Sequence, residues 1–257
     1  MDIVWLSSYP KSGNTWLRFF LYAYYYGVPK RSNDVSKRIP DLHKKNELNT
    51  ALENRTFVKT HFMYSDTHPF ISHTDKVIYV LRHPKDVLLS NYNYFRLGGF
   101  PYAEHEFARQ FIAHHGVPYW KRIGIGSWVE HVQSWLDHNP YPCLALCFED
   151  MKKDAAAEFR KVVLFLDGAV DEARLKQAVY QCSFGQMRKL EDKEVKKAKN
   201  IKQEEYSQVF HGDQYSVEKG YRFINKGAIN QKLSHLSTTL DADFDAAFGV
   251  RLRELGY

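Results

Sequence analysis

Four short apolar runs punctuate the chain: Ile3–Ser8, Phe57–Thr60, Val77–Arg82 and Leu144–Phe148. They are rich in Val, Ile, Phe, Tyr and Trp and are bounded by polar or turn residues, the pattern of buried strands. Asn14–Tyr26 is apolar almost all round, which predicts a buried helix. Asp86–Phe95, Ser127–Leu136, Ala155–Leu166, Asp171–Tyr180 and Ala242–Leu255 read as further helices, and Pro84 stands at a favoured helix start. Strands alternating with helices predict an α/β fold, with a central parallel β-sheet of about four to five strands flanked by helices on both faces. Ligands of such sheets sit beyond the carboxyl ends of the strands, so the residues after each strand are where chemistry is expected.

The 257 residues, 44% hydrophobic and 26% charged, have an ordinary globular balance and show no repeat or Gly/Ser linker. We read 1–257 as a single domain. Three cysteines, Cys143, Cys147 and Cys182, are too few for a disulfide framework and suit a reducing compartment. No apolar run approaches the roughly 18 residues of a membrane span. The opening MDIVWLSSYPK lacks the basic start of a signal peptide. A soluble cytoplasmic protein is therefore expected, with no membrane insertion. The net charge of +6 hints at a polyanionic partner. Nucleic acid is not expected, because there is no basic helix or aromatic-basic platform. The charge run RKLEDKEVKKAKNIK, residues 188–202, is too mixed for a nucleic-acid tail and reads as a solvated loop or helix face.

The first strand leads into YPKSGNTW, residues 9–16, and then directly into a helix. Lys11, Ser12, Gly13, Asn14 and Thr15 make a tight strand-to-helix turn. Gly13 lets backbone N–H groups face outward, the helix N-terminus adds partial positive charge and Lys11 adds a full one. This is the chemistry of a phosphate cradle, although the common nucleotide pattern GxxxxGK(S/T) is absent.

YPKSGNTW resembles the 5′-phosphosulfate loop of the sulfotransferases that use 3′-phosphoadenosine-5′-phosphosulfate (PAPS), and the opening WLSSYPKSGNTWLR is particularly similar to bacterial small-molecule members. Three further segments follow in the family's order. FVKTHF, residues 57–62, resembles the strand end bearing the catalytic histidine. VIYVLRHPKDVLLSNYNYF, residues 77–95, resembles the 3′-phosphate segment. GSWVEHVQSW, residues 126–135, with FEDMKKD, residues 148–154, matches a structural stretch. The resemblance spans about residues 2–190. It implies a P-loop-like nucleotide site and sulfuryl transfer to an acceptor hydroxyl, or less readily an amine, releasing adenosine 3′,5′-bisphosphate. By the same resemblance Lys11 stabilises the leaving group, His61 is the base and Lys59 lies near the transferring group. Ser12, Gly13, Asn14 and Thr15 hold the 5′-phosphate and sulfonate. Trp16 and Phe184, the latter in CSFGQM, residues 182–187, sandwich adenine, and Arg82 and Ser90 bind the 3′-phosphate.

The match weakens near the C-terminus. The family's RKGxxGDWK appears as INKGAINQK, residues 224–232. Lys226 and Gly227 keep the Lys-Gly pair, Asn225 replaces Arg and Asn230 replaces the second Gly. Arg222 is a candidate for the missing guanidinium. Residues 188–232 are expected to form a mobile loop and this cofactor motif. Residues 96–122 are expected to form an acceptor-side lid, with mobility at Gly98, Gly99 and Gly116. Phe100, Tyr102, Phe107, Phe111, Tyr119 and Trp120 are either its pocket lining or its core. The histidines have no metal spacing, so no metal is expected. Two other readings remain: a nucleotide kinase, which would need a Mg²⁺-binding carboxylate, and a non-catalytic relative that kept the pocket. The acceptor, expected to be a small molecule, and the oligomeric state are not legible.

Overall fold

The apolar runs are strands lying side by side. In the computed structural model, which describes residues 2–44, 55–198, 210, 214–234, 237 and 239–257, they are β1 (Asp2–Ser7), β2 (Arg55–Thr60), β3 (Thr74–Leu81) and β4 (Cys143–Cys147). All pair in parallel, in the order β2-β1-β3-β4. The helices of the first half are α1 (Asn14–Tyr25), α2 (Ser32–Arg38), α3 (Pro84–Leu97), α4 (Glu104–Ala113), α5 (Pro118–Arg122) and α6 (Trp128–Leu136). Those of the second half are α7 (Phe148–Lys153), α8 (Ala155–Asp167), α9 (Glu172–Gln181), α10 (Phe184–Ala198), α11 (Gln214–Glu218) and α12 (Leu240–Glu254). The charge run from 188 continues α10 as far as Ala198; residues 199–209 and 211–213, where the rest of it and much of the expected mobile loop fall, lie outside the described residues.

Alternate residues of each strand enter different cores, as the pleat requires. Ile3, Trp5, Val77, Tyr79 and Leu81 face a layer with Trp128, Trp135, Phe111, Phe244 and Phe248. Val4, Leu6, Ile78 and Val80 face a second layer with Phe20, Phe159, Val163 and Leu175. Both sheet faces are thus covered, which explains why the strands read as continuous apolar runs. In the second layer Phe20 of α1 stacks on Phe159 of α8 at 4.0 Å, with the ring planes 3° apart.

α6 starts with a capping box: Glu130 N–H donates to the Ser127 hydroxyl, and Ser127 N–H donates to the Glu130 carboxylate. The cap fixes where α6 meets the sheet, and four of its side chains, Trp128, His131, Ser134 and Trp135, then reach the strand-end loops.

Phe159→Ala is expected to lower the unfolding free energy by about 3–5 kcal/mol. In a urea titration the midpoint falls while the slope is kept; an unchanged midpoint would show that the stacked pair contributes little.

Candidate functional site

Each strand ends at one cavity of about 420 Å³. β1 delivers the loop through Lys11 and Gly13, β2 delivers His61, β3 delivers Arg82 and β4 delivers Phe148, all of which line it. Asn14, Thr15, Trp16, Lys59, Ser90, Phe184, Lys226 and Gly227 line it as well. Of the residues expected at the site, Ser12 and Arg222 do not.

The loop owes its shape to two left-handed residues, Lys11 at φ 74° and Gly13 at φ 115°. Gly13 is required twice over, because a Cβ there would also meet the Phe148 ring at 2.6 Å. Asn14 locks the turn: its amide donates to the Leu6 carbonyl at 2.8 Å and the Ser8 hydroxyl at 3.2 Å. α1 has no side-chain cap, and since Trp16 N–H already donates to the Gly13 carbonyl, the N–H groups of Asn14 and Thr15 are the ones that can face a ligand. Ser12 is buried, and its hydroxyl has no partner among the described residues. The Lys11 ammonium lies 3.6 Å from the centroid of Phe223 and 4.8 Å from that of Tyr94. Burial, then the nearby Arg82 and Lys59, bring its pKa down to about 7.

His61 has a defined tautomer. Nδ1 lies 2.6 Å from the Ser8 carbonyl oxygen, which can only accept, so Nδ1 carries the proton and Nε2 keeps a lone pair. Burial, with Lys59 and His43 close by, holds its pKa well below the usual histidine range, so the ring is neutral. Lys59 does not run out to solvent; it pairs with the buried Asp41 at 2.6 Å. Residues 40–42 hydrogen-bond alongside β2 through Leu42 N–H to Lys59 O and Lys59 N–H to Pro40 O, which brings Asp41 there. Burial alone would raise Asp41, but Lys59 and Arg18 outweigh it and hold the carboxyl ionised. His43, one turn on, accepts the His61 backbone N–H at Nε2, 2.7 Å away.

Arg82 does not pair directly with Asp86. Its guanidinium donates to Lys11 O and Ala228 O, both at 2.8 Å, and Nε is buried without a partner among the described residues. Asp86 instead accepts from Asn230 N–H, Gln231 N–H and the Gln231 side chain at 3.0–3.1 Å. At the other end of this segment Glu191 accepts from Phe223 and Ile224 N–H. Residues 223–231 are therefore pinned at both ends. Asn230 sits at φ 58°, so it keeps the left-handed turn that glycine would make, a conformation Asn tolerates. The expectation for Arg222 is corrected: it bonds Asp192 and the carbonyls of Val217 and Tyr221, and these hold it off the cavity.

The aromatics of residues 96–122 divide between the two alternatives. Phe107 and Phe111 are core, and Phe100, Tyr102 and Tyr119 are about half exposed, so of those six aromatics only Trp120 reaches the cavity. Ile123, Ile125, Leu89 and Tyr94 complete that wall. Gly116 is a packing requirement: a Cβ would lie 2.4 Å from the Tyr9 hydroxyl. Sequence reasoning missed Arg18, Asp41, His43, Lys44 and Lys152, all of which line the cavity; no local pattern marks them, because their place depends on pairing with distant elements. Among the described lining residues there are seven lysines and arginines and one carboxylate, Asp41. Among the described residues no group of three or more His, Cys, Asp or Glu could hold a metal ion.

The sulfotransferase domain model matches residues 1–256. Human Sulfotransferase 1E1 is 30% identical, the match covering 98% of this chain and 84% of that protein. Rabbit amine sulfotransferase is 26% identical over 98% of this chain and 81% of its own. Mouse sulfotransferase SULT7A1, solved with PAP, superposes with a TM-score of 0.67 at 23% identity, over 98% of this chain and 84% of that one. Retinol dehydratase, solved with androsterone and the inactive cofactor PAP, gives 0.66 at 18%, over 98% and 80%. The two solved structures share the fold, and the domain match and the human relative show that this chain belongs to the sulfotransferase family.

Proposed function

We propose that the protein transfers a sulfuryl group from PAPS to a hydroxyl of a small-molecule acceptor, with Lys11 and His61 carrying the chemistry. The observation that carries this reading is a single cavity holding the neutral base, the loop lysine and Arg82, with its one lining carboxylate already committed to Lys59. A Mg²⁺-dependent kinase would need that carboxylate free.

The residues fit a nucleotide that carries anionic groups at two separate places. Arg82 has a buried N–H with no partner among the described residues, α1 has no side-chain cap, and Trp16 and Phe184 both border the cavity. Arg82, Ser90 and Lys226 would hold the 3′-phosphate; Gly13, Asn14, Thr15 and Lys11 would hold the 5′ end; Trp16 and Phe184 would flank adenine. PAPS supplies the sulfuryl group on a phosphate leaving group. Lys11 then opposes the negative charge that grows on the departing oxygen, which favours the transition state over the ground state. His61 Nε2 takes the acceptor's proton while the Ser8 carbonyl holds Nδ1–H. Trp120, Ile123, Ile125 and Leu89 suit an apolar or aromatic acceptor body, and supporting this, relatives are a luciferin sulfotransferase of Photinus pyralis and the rabbit amine enzyme. Three free cysteines and the lack of a helix long and apolar enough to cross a membrane among the described residues support a cytoplasmic place.

Adenosine 3′,5′-bisphosphate at about 100 times its Kd should raise the melting temperature by roughly 5–10 °C, and AMP at the same concentration by less. Equal shifts would remove Arg82 and Ser90 from the 3′-phosphate site, and no shift would make this a relative that lost its cofactor. With an acceptor found by screening alcohols, phenols and amines against PAPS, Lys11→Ala should slow turnover by about 10²–10³ and His61→Ala by about 10²–10⁴. Near-full activity of either variant would overturn its role.

Lys11 binds an anion best when protonated, and its folded pKa is brought down to about 7. Bisphosphate affinity should therefore fall as pH rises through about 7, and binding at about pH 8 should take up a proton. Calorimetry in two buffers of different ionisation enthalpy measures this; no uptake would mean that Lys11 is already charged in the free protein.

A further inference from the structure

The backbone of His61 is held on both sides by other histidines. Its N–H donates to His43 Nε2 at 2.7 Å, and its carbonyl lies 3.1 Å from His131 Nε2. His131 is fully buried on α6 and does not line the cavity. Its other nitrogen, Nδ1, lies 2.9 Å from the hydroxyl of Tyr79 on β3. The His61 carbonyl can only accept, so His131 Nε2 must carry the proton and Nδ1 must accept from Tyr79. α6 reaches the same stretch twice more: Trp135 Nε1–H donates to Phe62 O at 2.8 Å, and the Ser134 hydroxyl accepts from Tyr64 N–H at 3.1 Å.

From this geometry we propose that His131, oriented by Tyr79, is a positioning residue that fixes the His61 backbone and thereby keeps the His61 proton on Nδ1 and the lone pair on Nε2. Tyr79 O–H donates to His131 Nδ1 and His131 Nε2–H donates to the His61 carbonyl, one hydrogen-bonded chain running from the middle of the sheet to the base. The Tyr9 and His131 rings pack edge to face with centroids 5.8 Å apart, which adds a contact that holds the buried imidazole in place. Burial brings the His131 pKa down to about 3, and that of His43 to about 4, so neither ring places a positive charge beside His61. The chain matters because the Ser8 carbonyl can hold Nδ1–H only while the His61 backbone stays where α6 puts it. The proposal rests on the reading of His61 as the base.

The test separates donor from bulk. Tyr79→Phe/His131→Phe removes both buried partners and keeps an aromatic ring at each place, so the fold is not left with a stranded hydroxyl or imidazole. His131→Gln keeps an N–H donor at that place. In ¹⁵N-histidine NMR at neutral pH, with the His61 signals assigned by their loss in His61→Asn, the native protein should show His61 as the Nδ1–H tautomer. The double variant should show a mixture of both tautomers, and His131→Gln should restore the single form. The bisphosphate-induced melting shift should be the same in all three. Turnover of the screened acceptor should fall roughly tenfold to a hundredfold in the double variant, with the KM for PAPS kept. A pure Nδ1–H tautomer in the double variant overturns the proposal, as does a His131→Gln variant that behaves like the double one. If His61 were not the base, His61→Ala would keep its activity while the NMR result stood, so the two failures are distinct.

Discussion

The Arg82 guanidinium joins pieces of chain that are otherwise far apart: the loop after β1, through Lys11 O, and the segment before α12, through Ala228 O. Its own carbonyl is held by Trp128 Nε1–H of α6 at 3.2 Å. Removing one partner of such a buried charged network strands the others, which costs far more than a surface pair contributes. The walls of the nucleotide half of the cavity are therefore coupled. The loop sets where Lys11 points, the C-terminal segment closes over it, and the sheet's third strand carries the group that ties the two.

Concentrating cations in this space has an electrostatic cost that the fold meets in several ways. Lys59 and Arg18 share Asp41, whereas Lys11 rests against the faces of Phe223 and Tyr94. Phe148 lies under Arg82, with the guanidinium carbon 4.2 Å from the ring centroid. Aromatic faces stabilise a cation without neutralising it, so the positive potential is kept for an incoming anion. A carboxylate in their place would compete with the phosphates. The base half follows the opposite rule. Its histidines are kept neutral by burial, and the protons of His61 and His131 are assigned by carbonyls that can only accept.

Departures from the family's C-terminal motif are absorbed by backbone pinning. Asn230 reproduces a left-handed turn, and Asp86 and Glu191 hold the two ends of the segment. Lys226 and Gly227 consequently still border the cavity although Asn225 replaces an arginine. Arg222 serves a structural purpose instead, bracing the entry to this segment against Asp192 of α10.

What was legible in the amino-acid order was whatever depends on neighbours in the chain. The four apolar runs, the uncapped strand-to-helix turn around Gly13, and the placing of His61 and Arg82 just after strands all follow from local pattern plus the rule that parallel strands end together. Helices α2, α4, α5, α7 and α11 carried weaker signals, being short or set within irregular stretches, and α10 was masked by its mixed charges. The aromatic content of residues 96–122 could not say which rings face the cavity, because that depends on where α4 and α12 pack. Asp41 reaches Lys59, Phe223 reaches Lys11, and His131 reaches the His61 carbonyl across 70 positions of chain. Such partners are chosen by the order of strands and the docking of α6, which no local periodicity encodes. The sequence alone determined that a lysine, a histidine and an arginine would meet at the carboxyl end of a parallel sheet. Only the tertiary structure decided their protonation and orientation, because burial and hydrogen bonds from distant elements set both.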